Sequence, residues 1–193
     1  MLHAKFKRII YESYTERGRD LPWRGDLDPY RVFVSEIMLQ QTQVSRVLKK
    51  YHAFIRRFES FSVLASASLF DIMRVWQGLG YNRRALYLKK AAERIVHDFS
   101  GRLPQGMSDL ATLPGVGAAT AGALRAFAFN APAVFVETNI RSVFLYFYFP
   151  DQKEVADVAI LKKVGQTLDK ENPRKWYYAL MDYGATAMNG MEN

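Results

Sequence analysis

The sequence contains no cysteine. That excludes disulfides, thiolate nucleophiles, Cys-ligated zinc and iron–sulfur clusters from the chemistry open to these 193 residues. The 3 histidines (His3, His52, His97) are scattered without the short spacings of a metal site. No apolar run is long enough to span a bilayer, and the N-terminal Met-Leu-His-Ala-Lys-Phe-Lys-Arg has no signal-peptide hydrophobic stretch. Repeats, low-complexity segments and long linkers are also missing. Acidic residues are in the minority, 19 against 27 Lys and Arg, for a net charge of +8. A cytoplasmic protein is expected, nucleoid-associated if bacterial, with no membrane partner. Its basic surplus suits nucleic acid, although charge of that size also serves solubility. What is abundant is hydrophobic residues, at 49%, enough for a sizeable core.

The periodicity predicts helices throughout. Phe6, Ile9, Ile10 and Tyr14 space an N-terminal helix that Gly18 ends. After a loop, Pro29 suits a helix start, and residues 30–43 are apolar almost all round (Val32, Phe33, Val34, Ile37, Met38, Leu39), the pattern of a buried helix. Glu36 stands in its middle, with Gln40 one turn on. A carboxylate there must be paired, hydrogen-bonded or turned toward a polar cleft, and an ion pair with an arginine is the plain alternative to a functional role. Helices over 44–58, 63–67, 69–76 and 82–97 follow. Gly78-Leu-Gly-Tyr81 sets an aromatic after flexible glycines and before Arg83 and Arg84. It suits a wedge between bases or a core tyrosine at a helix start. Ile140 to Phe149 is aromatic enough for a strand on propensity. A cap at Thr138 or Asn139 and a stop before Pro150 favour a helix instead. Two more helices, over 155–168 and 173–188, complete an all-α chain.

The chain is organised around residues 109–139. Leu110 and Leu113 close a short helix, Pro114 cannot continue it, Gly115 and Gly117 permit a tight turn, and 118–129 forms an alanine-rich second helix. Amides at Gly115, Val116 and Gly117 lie at that helix's N-terminus, where unpaired N–H groups and the dipole favour a phosphate. A Gly-Val-Gly turn by itself equally fits a plain helix–helix connection. Here an extended run from Pro132 follows the second helix and delivers Glu137 just before another helix near Asn139.

Leu21-Pro-Trp-Arg, Ser35-Glu-Ile-Met-Leu-Gln-Gln-Thr-Gln-Val, Trp76-Gln-Gly-Leu-Gly-Tyr, Leu113-Pro-Gly-Val-Gly and Met181-Asp-Tyr-Gly-Ala together resemble the helix-hairpin-helix DNA glycosylases. The resemblance is closest to the adenine DNA glycosylase branch, MutY-type, with endonuclease III more distant. It implies two helical lobes around a cleft that takes a flipped-out base: residues 25–135 as a six-helix lobe carrying the hairpin, and 1–24 with 136–193 as the second. It implies Glu36 as the acid that protonates the leaving adenine, Glu137 at the position of the catalytic aspartate, and Asn139 beside it. It implies a DNA-contacting set of Gln41, Tyr81, Gly115, Val116, Gly117 and Thr120, with Tyr81 as wedge beside the mispaired base. The partner is then double-stranded DNA with a mispaired or damaged base, bound by a monomer. The family's hairpin often holds a monovalent cation; no other metal or cofactor is expected.

The sequence also departs from the family. Four cysteines that usually follow the last helix and hold an iron–sulfur cluster have no counterpart, the first falling near Met188. The chain resembles the clusterless branch, or a truncated chain, and has no counterpart of the C-terminal domain that reads 8-oxoguanine. Ala119 stands where lyase members carry lysine, implying base removal without strand cleavage. Glu137 replaces an aspartate.

Cleaving an N-glycosidic bond passes through an oxocarbenium-like state and uses one protonated and one ionised carboxyl. Burial in an apolar helix is expected to raise the pKa of Glu36, and a helix start to favour the anion at Glu137. Alternatives are a glycosylase for thymine or uracil opposite guanine, a DNA-binding module without catalysis, and a helical scaffold for another protein.

Overall fold

The computed structural model describes residues 2–25 and 27–186; Met188 and the end of the expected last helix lie outside them. The elements are α1 (Leu2–Arg17), α2 (Pro29–Leu39), α3 (Val44–Arg57), α4 (Phe61–Ser66), α5 (Leu69–Trp76), α6 (Arg83–Asp98), α7 (Met107–Ala111), α8 (Ala118–Phe129), α9 (Thr138–Tyr148), α10 (Asp157–Thr167) and α11 (Pro173–Thr186). No strand occurs among the described residues, so the chain is all-α. The aromatic run after Asn139 is helical: side chains four apart meet on one face, with the Phe144 and Tyr148 rings stacked at 5.6 Å.

The chain forms two compact units, Leu21–Phe129 and Met1–Asp20 with Asn130–Asn193. In the first, α2 is the central helix and packs on α3, α6 and α8. Val32, Phe33, Val34, Ile37 and Met38 are all buried, which is why this helix is apolar on nearly every side. Asp28 caps it by accepting the N–H of Tyr30 at 2.9 Å, and Pro29 occupies its first turn. The helix stops at Leu39 and not at 43, because Gln41 takes a left-handed φ of 51° and breaks the turn.

In the second unit α1, α9, α10 and α11 surround an aromatic core. The Phe6 ring meets Phe144, Phe147, Tyr148 and Trp176 edge-on at 5.0–5.7 Å. Gly184 of α11 lies so close to α9 that a Cβ there would fall 2.6 Å from the carbonyl oxygen of Asn139. The absent side chain at 184 therefore sets how near the start of α9 is drawn.

Candidate active site

Glu36 sits half-buried in the middle of α2, among fully buried neighbours. One turn further on, the Gln40 amide nitrogen donates to the carbonyl of Gly115 at 3.1 Å and to Thr120 Oγ1 at 3.3 Å. The end of the glutamate's helix is thereby tied to the hairpin, with Gln40 as the link and Thr120 as an acceptor. Gln41, the next residue, is exposed.

The hairpin has α7 and α8 flanking a turn, as expected, but α7 ends at Ala111, so Leu113 lies in the turn and does not close the helix. Gly115 has φ 81°, and a Cβ there would stand 3.0 Å from the Tyr87 Cβ, so both conformation and space require glycine. Gly117 has open space around its would-be Cβ and is exposed, as are Ala118 and Ala119. The first N–H groups of α8 have no acceptor within the helix. Val116 differs from its neighbours: its side chain is buried and its N–H donates to the Leu113 carbonyl at 3.0 Å, which occupies the amide.

The second glycine turn presents Tyr81, 63% exposed, with φ 46°. Below it Leu79 is buried, and the indole N–H of the buried Trp76 donates to the Gly80 carbonyl at 3.1 Å. A shallow groove of about 540 Å³ beside the turn is lined by Arg46, Phe70, Arg74, Gln77 and Gly78 among others, a basic surface with one exposed ring. The tyrosine is thus a projecting ring and not a core residue.

In the other unit, Glu137 is itself the N-cap of α9. Its Oε1 accepts the N–H of Ile140 at 3.0 Å, and its Oε2 accepts from the Asn139 side-chain nitrogen at 3.3 Å. The expected cap at Thr138 or Asn139 is therefore corrected by one or two residues. The expected electrostatics change too. Burial raises the pKa of Glu137 above the ordinary value, and the opposing pull of the Ile140 and Asn139 bonds and of Arg19 does not cancel it. Arg19 in turn holds the buried Asp182, donating from its backbone N–H at 2.8 Å and from Nε at 2.6 Å.

A model of the HhH-GPD superfamily of base excision DNA repair proteins matches residues 34–166. The chain belongs to this superfamily. The match takes in the second half of α2 with Glu36, the Tyr81 turn, the hairpin and Glu137. This HhH-GPD protein is 36% identical over 185 residues to an adenine DNA glycosylase of Buchnera aphidicola subsp. Baizongia pistaciae, covering 93% of the present chain and 52% of that protein. It is 43% identical over 131 residues to the adenine DNA glycosylase of Mycobacterium tuberculosis, covering 67% and 43%. Against the human adenine DNA glycosylase it is 34% identical over 193 residues, covering 94% and 35%. The chain spans about half the length, or less, of these curated relatives. Among solved structures it is similar to a thermostable thymine-DNA glycosylase, with TM-score 0.88 and 28% identity over 96% of this chain and 87% of that one. Its fold is also that of endonuclease III in a non-covalent DNA complex, with TM-score 0.79 and 18% identity over 95% and 86%.

Three features of the bonding in this HhH-GPD chain escaped the sequence. Gln40 was visible only as a neighbour of Glu36. Arg84 was one of several arginines on a basic helix. Arg19 and Asp182 lie 163 residues apart, and nothing local pairs them. Among the described residues no group of three or more His, Asp or Glu could hold a metal ion.

Proposed function

We propose that the protein is a monofunctional DNA glycosylase that removes adenine from a mispair. The observation that carries this is that the chain has both a half-buried glutamate in its central apolar helix and a second glutamate capping α9, in a sequence 32–43% identical to adenine DNA glycosylases. Glu36 is the proton donor and Glu137 the anion. The target base is out of reach inside a duplex and must be flipped. Protonation of the departing purine by Glu36 lets the C1′–N bond break with its electron pair leaving on the base. The cationic sugar is stabilised by Glu137, oriented by Asn139 and Ile140, until water adds at C1′ and releases a proton.

The hairpin holds the DNA backbone through Gly115, Gly117 and the first turn of α8, with Val116 packing the turn from beneath. Backbone contacts of this kind give register and no sequence information. Gln41 and Tyr81 probe the mispair from the first unit. A monovalent cation at the hairpin would be held by neutral carbonyl oxygens. Those of Leu113 and Gly115 each keep one lone pair after accepting from Val116 and Gln40, and the ion would add positive charge beside a phosphate. The setting is a monomer acting on DNA in the cytoplasm.

A second substrate, thymine or uracil opposite guanine, is supported by the similarity to the thymine-DNA glycosylase across 87% of that chain. Single-turnover excision on duplexes with adenine opposite guanine or 8-oxoguanine, and with thymine or uracil opposite guanine, decides between them. Loss of adenine excision in both Glu36→Gln and Glu137→Gln, with duplex binding retained, supports the proposal. Binding to every duplex with no free base released would leave a DNA-binding module. The product should be an intact strand with an abasic site, because Ala119 offers no amine for a Schiff base. A stoichiometric adduct trapped by borohydride would contradict that.

A further inference from the structure

We propose that Arg84 is a positioning residue that locks the Gln41 loop and the Tyr81 turn into one rigid base-probing unit. This rests on the roles proposed above for Gln41 and Tyr81. The last carbonyls of a helix have no acceptor duty within it and need outside donors. At the end of α2 those donors come from Arg84, 7% exposed: Nη1 donates to the carbonyls of Ile37 at 3.2 Å, Met38 at 2.7 Å and Gln40. The negative end of the α2 dipole favours a cation there. The other amino group, Nη2, donates to Thr42 Oγ1 at 2.7 Å, Leu79 O at 3.2 Å and Gly80 O at 3.1 Å. A guanidinium is planar and rigid, so bonds from its two amino groups fix the two loops relative to each other. Its central carbon lies 5.3 Å from the Trp76 ring centre and 5.4 Å from that of Tyr81.

Both loops carry a non-glycine residue in the left-handed region, Gln41 at φ 51° and Tyr81 at φ 46°. Such residues cost about 1–3 kcal/mol each and persist only where the surroundings over-determine them. In each case the preceding carbonyl, of Gln40 or Gly80, is held by Arg84. Both strained side chains are exposed, so the strain does not serve core packing. The clamp itself is costly: Arg84 Nε is buried with no hydrogen-bond partner, and burial lowers the arginine's pKa. A costly buried cation that orders two strained, exposed probes serves their geometry.

The test compares Arg84→Met, Arg84→Lys, Gln41→Ala and Tyr81→Ala with the wild type. The readouts are amide hydrogen exchange of residues 40–43 and 78–82 in the free protein, unstacking of 2-aminopurine in a mispaired duplex, single-turnover excision and affinity for undamaged duplex. Arg84→Met should lose protection in both segments together and lose unstacking and excision by roughly tenfold to a hundredfold, the scale of a small misplacement. Affinity for undamaged duplex, carried by the hairpin, should hold. Arg84→Lys keeps the charge without the fork and should fall between. If Arg84→Met does not fold, Arg84→Lys decides: wild-type protection and unstacking in it would overturn the proposal. So would parallel losses of melting temperature, undamaged-duplex affinity and unstacking in the Arg84 variants, which mark a merely structural arginine. If Gln41→Ala and Tyr81→Ala leave unstacking intact, the probe roles fail. If those two lose it while the Arg84 variants keep it, only the clamp fails.

Discussion

Glu137 caps the helix that it precedes, its Oε1 accepting the N–H of Ile140 at 3.0 Å. Aspartate and asparagine are the common side chains for such a cap, and glutamate must reach with one more methylene. The bond shows that the longer side chain still finds the helix N-terminus, so a carboxylate is directed at fixed donors.

The first prediction separates stability from activity at this residue. The folded state raises the pKa of Glu137, so it prefers the protonated form. The favourable contribution is complete below the ordinary, unfolded-state value of 4.5 and is lost as pH rises through the folded-state value. At neutral pH, above the unfolded-state value, the raised pKa therefore costs stability. Glu137→Gln should melt at a higher temperature than the wild type at neutral pH, with the difference closing below about pH 4. Excision should fall by on the order of a hundredfold or more. Thermal melts at both pH values and single-turnover rates check both halves.

The pH dependence of excision follows from the same shift. Glu137 must be ionised to stabilise the sugar cation. The acidic limb of the single-turnover profile should rise with pH at a midpoint above the ordinary carboxylate value of 4.5. Glu137→Asp, which can still cap α9, should retain measurable activity with this limb displaced. A wild-type rate flat across the acidic range would remove Glu137 from the chemistry.

The two hairpin glycines should fail differently. Gly115→Ala forces a side chain into a left-handed φ and against Tyr87, and should destabilise the fold by about 1 kcal/mol or more. Gly117→Val meets no neighbour in the protein, so its melting temperature should change little. It should weaken binding to matched and mispaired duplexes alike by blocking close approach. Wild-type affinity should fall with salt by roughly 0.9 log units per log salt for each phosphate neutralised. Melting curves and salt titrations of binding distinguish the variants.

Gly184→Ala tests whether α11 sets the position of Glu137. The new Cβ would lie 2.6 Å from Asn139 O and 2.8 Å from its Cβ, so the start of α9 must shift. Over-packing of this kind costs about 1–3 kcal/mol. Excision should fall further than the loss of folded protein explains, with duplex affinity unchanged. Rates normalised to folded fraction make the comparison.

Much of the fold was legible because its signals are local. The hairpin's second helix begins at Ala118 and ends at Phe129 as expected, set by glycines before it and an asparagine after it with φ 50°. Among the described residues, the helix end furthest from expectation is that of α2, which stops at Leu39 and not at 43. Nothing between Leu39 and Gln43 forbids another turn, and the stop coincides with carbonyl bonds to Arg84, more than 40 residues on. The candidate residues were legible as types in order; their bonds were not. The engaged N–H of Val116 and the link from Gln40 to the hairpin depend on segments that approach only in the folded chain.

The sequence by itself determined the helical class, the cysteine-free chemistry, the glycine hairpin and the two glutamates. Each depends on composition or on rules that act within about one helical turn. Tertiary structure alone decided which way the pKa of Glu137 moves, because desolvation is a sum over every element that covers the side chain and here exceeds the local helix-start effect. It also decided that one arginine on α6 holds two distant loops, since a hydrogen bond depends on distance in space and not on separation along the chain.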